Sequence, residues 1–126
     1  ASFLEREVPE YEDRRLVAGV LLKRLAIGML LQVDATISYA KCNGTFLTCE
    51  EAGVEKGDTN LSSPYNTYLR RGWTPTPISN PGEEATMAAT LPKESPYLYY
   101  LSARETGETI FSRTLEEHNR NKVKHL

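Results

Sequence analysis

The first ten residues place two carboxylates on one short amphipathic segment. Ser2 and Glu5 have the spacing of a capping box, which predicts a helix beginning at Phe3. On a helical wheel the side chain of Glu7 lies between Phe3 and Leu4, and an apolar environment should raise the pKa of its carboxyl group. Such a shift would keep Glu7 protonated near neutral pH, as a general acid requires. Because most glutamates are solvated, this stretch alone favours the alternative, a frayed surface turn whose Glu7 points to water.

Further along the chain, polar and aromatic residues could contact a sugar. The segment Tyr65-Asn66-Thr67-Tyr68 supplies two phenol rings, an amide and a hydroxyl, which could stack on a sugar ring and bind its hydroxyl and N-acetyl groups. Gln32 and Asp34 share one face if their segment is extended. Both sets have equally good structural alternatives, since the tyrosines could cover a core edge and Gln32 and Asp34 could bind nearby backbone. Asn80 is better explained as a helix cap than as a ligand contact.

Composition narrows the function classes. The 126 residues fit one domain, and a net charge of −2 without a basic block argues against nucleic acid as the main ligand. The longest apolar stretch, residues 16–31, is interrupted by Lys23 and Arg24 and cannot span a membrane. Two cysteines without clustered histidines predict no metal site, and no cofactor motif is present. A two-residue hairpin at Asn43-Gly44 would keep Cys42 and Cys49 apart, whereas a longer loop would let them form a disulfide.

Periodicity and capping signals predict the elements that must position these side chains. Apolar residues recur at helical spacing over residues 11–27, and Gly28 supplies a stop. Residues 30–39 are too irregular for a long helix. Asn80 as cap, Pro81 at the first helical position and Glu83 at the third predict another helix that ends by Leu91.

The last third of the chain predicts a hairpin followed by a helix. Residues 97–101 and 109–111 have strand composition and are joined by a turn at Thr106-Gly107. Thr114 and Glu117 form a second capping box, which opens a helix through about Val123. The fold class is therefore α+β, with helices first and a small β-hairpin late.

Seven segments, in order along nearly the whole chain, resemble the endolytic murein transglycosylases of the MltG (YceG-like) type. The matching segments are residues 1–7, 14–24, 28–34, 65–68, 78–82, 96–99 and 117–119. Three positions depart from the family pattern: Lys23 stands where asparagine is usual, and Ala35 and Thr74 stand where proline is common. These departures leave every carboxylate in place.

The resemblance implies a lysozyme-like helical catalytic core with a small β-hairpin, formed by residues 1–126 as a single catalytic domain. We expect this domain to be a fragment of a longer chain with a membrane anchor. The second glutamate of the opening signature is the family's catalytic acid and falls on Glu7. The resemblance and the helical wheel thus select the same residue, which overturns the preference for a solvated Glu7.

The implied activity is cleavage of the bond between N-acetylmuramic acid and N-acetylglucosamine in peptidoglycan, leaving 1,6-anhydro ends. Glu7 would be the sole acid and base, because Glu5 lies about 200° away on the helix. The residues expected to contact substrate are Gln32, Asp34, Tyr65, Asn66, Thr67, Tyr68 and Asn80. Three alternatives remain: a hydrolytic muramidase with Asp34 as second carboxylate, a peptidoglycan-binding module without catalysis, and a scaffold that docks on synthases.

The resemblance also implies a cellular setting. The expected partners are nascent glycan strands and possibly penicillin-binding synthases, without cofactor, metal or nucleic acid. The expected location is the bacterial cell envelope, on the outer side of the cytoplasmic membrane, where the full-length protein would be held by its N-terminal anchor.

Overall fold

The computed structural model describes residues 1–45, 49 and 53–126. Within these residues the chain forms five α-helices, a short 3-10 turn at Asp58–Asn60 and a two-stranded antiparallel sheet, which confirms the predicted α+β class. In chain order the helices and strands are α1 (Ser2–Glu7), α2 (Tyr11–Ala26), α3 (Asp34–Lys41), α4 (Glu83–Thr90), β1 (Tyr99–Ser102), β2 (Thr109–Ser112) and α5 (Leu115–His125). None of these helices is long and apolar enough to cross a membrane.

The core lies where α1, α2 and α4 meet the segment that leads into α3. Its fully buried members include Val17, Leu31, Val33 and Ala85, and removing each large apolar side chain from water contributes about 1.5–3 kcal/mol. The residue Gly19 lets the chain after α4 approach α2, because a Cβ atom there would lie 2.2 Å from the carbonyl oxygen of Lys93. The predicted helix over residues 11–27 is confirmed to within one residue, with Gly28 in the left-handed conformation behind it (φ 74°).

Helix α1 has only six residues, too few to be stable alone, and is held by contacts with the rest of the fold. The buried guanidinium of Arg14 donates from Nε to the Val8 carbonyl (2.7 Å) and from Nη2 to the Glu5 carboxylate (2.9 Å). The predicted capping box is wrong: the helix begins at Ser2, and no side chain caps it. Instead, Ser2 Oγ accepts the backbone N–H of Ile78 (3.2 Å).

The predicted start of α4 is also wrong. The capping position is Gly82 and not Asn80, and no side chain within the helix caps it. The Gly82 N–H donates to Glu5 Oε1 at 2.8 Å, so a carboxylate on α1 accepts this backbone group. The helix ends at Thr90, in agreement with the expected end by Leu91.

The segment that was too irregular for a long helix divides into two parts. Leu31 and Val33 are buried while Gln32 and Asp34 are exposed, the alternation of an extended chain. Helix α3 then begins at Asp34 and ends at Lys41, and the next residue, Cys42, forms a disulfide with Cys49. Of the two alternatives for the cysteines, the one with a disulfide is therefore confirmed.

The hairpin and the last helix follow the sequence signals closely. Strands β1 and β2 pair in the register Tyr99 with Ser112 and Ser102 with Thr109. Thr114 accepts the backbone N–H of Glu117 at the start of α5, as a capping box requires. Helix α5 continues two residues beyond the expected end and lies against the sheet.

Candidate active site

Side chains from α1, α2, α3, β1 and α5 line one open cleft of about 480 Å³. Among them are Glu7, Gln32, Asp34, Tyr68, Tyr100 and His118. Four of these six residues were candidates from the sequence, and they come from segments separated by up to 61 residues. The cleft therefore joins the opening helix to the segment that leads into α3.

Glu7 is the last residue of α1, and both oxygens of its carboxyl group are held. The hydroxyl of Tyr100 donates to Oε2 (2.5 Å), and the backbone N–H of Ala35 donates to Oε1 (3.3 Å). Burial raises the pKa of Glu7; these two hydrogen bonds oppose that rise, and the nearby charge of Asp34 adds to it. The raised pKa expected from the helical wheel is confirmed. A raised pKa favours the protonated form, which is the form that a general acid requires.

The N–H of Ala35 is available because it belongs to the first turn of α3, whose N–H groups have no partner within the helix. Proline at this position would supply no N–H. The departure at Ala35 from the family pattern therefore gives the Glu7 carboxyl group of this chain an additional donor.

A second phenol group holds the second carboxylate of the cleft. The hydroxyl of Tyr68 donates to Asp34 Oδ1. Burial and the neighbouring charge of Asp34 raise the pKa of Tyr68, so its hydroxyl remains a donor over the physiological pH range. Asp34 is thus anchored beside the helix end that supports Glu7.

Gln32 reaches the cleft through an unusual backbone conformation. Its φ of 52° lies in the left-handed region, which costs about 1 kcal/mol or more for a residue other than glycine. The Gln32 N–H donates to the Thr67 carbonyl (3.2 Å), and Arg24 Nη1 donates to the carbonyls of Leu30 and Leu31 (both 3.1 Å). Contacts from two other segments therefore impose this conformation.

The remaining predicted contacts lie outside the cleft lining. Asn66 is fully buried and binds the backbone of Thr59 and Leu61, while Thr67 Oγ1 accepts the N–H of Val33 (2.9 Å). Their side chains hold the segment that presents Gln32, Asp34 and Tyr68. The side chain of Tyr65 packs on Tyr39 and bonds Thr76, and Asn80 is exposed. Substrate contact by any of the seven residues stays a prediction.

The sequence did not single out Tyr100 or Arg24 as members of the site. Tyr100 lies 93 residues from Glu7, in a strand whose aromatic composition indicates only a half-buried sheet. For His118 a solvated or packing role was expected, and packing is confirmed: its ring stacks on Tyr99 with centroids 5.1 Å apart. Burial and the nearby cations Lys122 and Arg24 lower the pKa of His118 to about 4.

Comparison with known proteins identifies the family of the chain. The YceG-like family matches residues 1–124 of the chain. A protein of Bacillus subtilis named endolytic murein transglycosylase is 40% identical over 131 residues, which cover 100% of this chain and 33% of that protein. A protein of the same name from Streptococcus pneumoniae is 34% identical over 128 residues, which cover 100% of this chain and 23% of that protein. The chain thus spans about a third or less of these relatives' length.

A solved structure gives the same result for the fold. A crystal structure of a Listeria monocytogenes protein described as YceG-like superposes with a TM-score of 0.82 and 43% sequence identity. The match covers 94% of this chain and 37% of the Listeria chain. Since the family match extends over almost every residue and includes all four cleft residues selected from the sequence, the chain belongs to the YceG-like family.

Proposed function

We propose that residues 1–126 form a single catalytic domain that cleaves peptidoglycan strands internally as a lytic transglycosylase. The observation that carries the proposal is the Glu7 carboxyl group, which is held at both oxygens in an open cleft and has a raised pKa. The name of the relatives supports the substrate and the reaction class. The bond cleaved would be the one between N-acetylmuramic acid and N-acetylglucosamine.

In the proposed reaction Glu7 acts first as acid and then as base. Its proton passes to the glycosidic oxygen as the bond to C1 of the muramic sugar breaks and an oxocarbenium-like centre develops. The Glu7 carboxylate then takes the proton of the C6 hydroxyl of the same sugar, while O6 bonds to C1. The product is a 1,6-anhydro end, and no water is consumed. Because the attacking hydroxyl is tethered to the reacting carbon, the entropic cost of bringing a nucleophile to C1 is largely avoided.

The two donors around Glu7 suit this sequence of steps. They lower the pKa of Glu7 against the larger rise caused by burial, so they limit how far burial weakens the acid. After the first transfer, the Tyr100 hydroxyl and the Ala35 N–H face a full carboxylate and bind it more strongly than the neutral acid. They therefore stabilise the charge that develops on the enzyme.

The other cleft residues would bind and orient the sugars. Gln32 and Asp34 present an amide and a carboxylate, and Tyr68 presents a ring whose hydroxyl is committed to Asp34. We assign the side chains of Asn66 and Thr67 a supporting role beneath them, on the basis of the buried hydrogen bonds of both residues. Tyr65 and Asn80 would contact only those parts of a long strand that extend beyond the cleft.

One specific observation favours a hydrolytic alternative. Asp34 lies in the same cleft, and its charge raises the pKa of Glu7, so a second carboxylate is close to the acid. A muramidase would use that carboxylate to activate water and would leave reducing ends. Analysis of the product ends therefore separates the two reactions.

The test is digestion of purified glycan strands followed by mass spectrometry of the released fragments. We expect anhydro ends from the wild-type protein, no cleavage by Glu7→Gln, and retained cleavage by the control Glu5→Gln, whose side chain lies outside the cleft lining. Reducing ends would support the muramidase, and binding without fragment release would support a binding module. Substantial activity in Glu7→Gln would remove this residue from the mechanism.

This function would place the protein in the bacterial cell envelope, because its substrate is there. An outer-side location at the cytoplasmic membrane, an N-terminal anchor and an association with penicillin-binding synthases remain proposals that rest on the family resemblance. Co-purification of synthases with the Glu7→Gln protein would test the last of these.

A further inference from the structure

We propose that Arg24 and Lys122 form an anion-binding wall of the cleft that recognises an ionised carboxylate on the substituent of the muramic sugar. The proposal rests on the proposed function and deepens it, since it names the group by which the substrate would be oriented. The carboxylate could belong to the lactyl group itself or to a peptide attached to that group. Both sources present the same group, an ionised carboxylate, to the wall.

Arg24 is a buried cation without an ion-pair partner among the described residues. Only 4% of its surface is exposed, yet it lines the cleft. Its Nε donates to the Leu98 carbonyl (2.8 Å), Nη1 donates to two carbonyls of the bend before α3, and its guanidinium lies 5.0 Å from the centre of the Tyr99 ring. No hydrogen bond joins Nη2 to any residue that the structure describes. An uncompensated buried charge is costly, so an anionic ligand at Nη2 would stabilise it.

Lys122 supplies the second charge of the wall. It lies one turn after His118 on α5, is exposed, lines the same cleft, and makes no ion pair within the described part of the chain. Arg24, Lys122 and His118 line the same cleft, and both cations lie close enough to the imidazole to lower its pKa. His118 itself is neutral at pH 7 and adds no charge.

The acids of the cleft are engaged elsewhere. Asp34 accepts the Tyr68 hydroxyl, and Glu7 is bound by Tyr100 and Ala35, while burial favours its uncharged form. In the described cleft, neither acid is paired with Arg24 or Lys122. The wall is therefore positively charged although the whole chain carries a net charge of −2.

The substrate offers one kind of sugar that such a wall can distinguish. Muramic acid carries a lactyl ether that ends in a carboxyl group, either free or in amide linkage to a peptide with its own carboxylates, whereas N-acetylglucosamine carries none. The proposed reaction requires C1 of the muramic sugar at Glu7. A carboxylate held by the wall would therefore fix which of the two alternating sugars occupies that position, and so the direction of the strand.

The experiment measures the dissociation constants of glycan strands for the folded Glu7→Gln variant, so that binding is measured without cleavage. Three strand preparations are compared: strands with peptides, strands freed of peptides, and peptide-free strands whose lactyl carboxyls are converted to amides. Lys122→Gln is added to this background, and Lys124→Gln is the matched control, because Lys124 lies on the same exposed helix but outside the cleft lining.

We expect Lys122→Gln to weaken binding of carboxylate-bearing strands about two- to fivefold, the size of an exposed charge pair, with a smaller salt dependence. Lys124→Gln should have no effect, and amidated strands should bind weakly and equally to all variants. If the protein binds peptide-free strands more tightly than amidated strands, the ligand is the lactyl carboxylate. If it prefers only the peptide-bearing strands, the ligand is a carboxylate of the peptide. Equal binding of all three preparations, or equal effects of the two lysine variants, would overturn the proposal. The proposed function is tested by a different measurement, and it would be refuted if the wild-type protein released no anhydro ends.

Discussion

Replacing Tyr100 with phenylalanine removes the hydroxyl that holds Glu7 Oε2 and leaves the aromatic ring in place. The hydrogen bond is 2.5 Å long and donates to the carboxyl group proposed as the acid. A hydrogen bond to a charged group contributes about 1.5–3 kcal/mol, and it favours the ionised form of Glu7. Its loss should therefore raise the pKa of Glu7 further.

Cleavage requires protonated Glu7, so activity falls as the pH rises through its pKa. In Tyr100→Phe this alkaline limb should move upward by about one to two pH units, since one unit corresponds to about 1.4 kcal/mol. The rate at the optimum should fall, because the carboxylate formed by proton transfer is less stable. If half of the lost energy is expressed in the transition state, the fall is about four- to twelvefold.

The assay is the pH dependence of kcat/KM for the release of anhydro-ended fragments from purified strands. Tyr97→Phe is the matched control, because the Tyr97 ring stacks on Phe111 and its hydroxyl makes no hydrogen bond to the described residues. Thermal melts of both variants would verify that the fold is retained. An alkaline limb that stays in place or moves downward in Tyr100→Phe would refute the assignment of Glu7 as the acid tuned by this phenol.

Four further substitutions, the last of them a control, test the energetics of the fold. Burial raises the folded-state pKa of Glu7 above its ordinary value of 4.5, so the wild type loses stability as the pH rises from 4.5 through that raised pKa. The Glu7→Gln variant should therefore melt at a higher temperature than the wild type at pH 8, and at a similar temperature at pH 4. Glu5→Gln weakens the ion pair with Arg14 (2.9 Å) and should lower stability by about 1–2 kcal/mol, measured by urea denaturation, without moving the pH profile of cleavage. Gly19→Ala would bring a Cβ atom to 2.2 Å from the Lys93 carbonyl oxygen and should cost about 1–3 kcal/mol, although alanine normally stabilises a helix interior. Gly53→Ala meets nothing within 4 Å and should leave stability within about 0.5 kcal/mol of the wild type.

Local signals predicted the elements whose ends depend on nearby residues. Three signals act within a few residues: the apolar spacing before Gly28, the turn at Thr106-Gly107 and the capping pair Thr114 and Glu117. Each of them predicted the end of its helix or strand to within two residues. The wheel also located Glu7 on the buried face, since Phe3 and Leu4 share its helix. These predictions needed no knowledge of how the chain folds back on itself.

The remaining features depend on contacts between distant residues. The start of α4 was wrong because the group that accepts the Gly82 N–H comes from Glu5, 77 residues earlier. The bend at Gln32 is imposed by Thr67 and Arg24, and Tyr100 reaches Glu7 only through the packing of the hairpin. No local pattern carries these pairings, so the sequence predicted four of the cleft residues but missed the two groups that donate to Glu7.

The two carboxylates of α1 are two residues apart and have opposite effects on the stability of the protein. Glu5 binds Arg14 and the start of α4, contacts that are strongest when it is ionised, and so it stabilises the packing of a helix too short to persist alone. Glu7 is held where ionisation is disfavoured, which lowers the stability of the protein at neutral pH. A single turn of helix can carry both because their side chains point about 200° apart. The contacts of Glu5 thus contribute stability that offsets part of the stability lost by burying Glu7 on the same short helix.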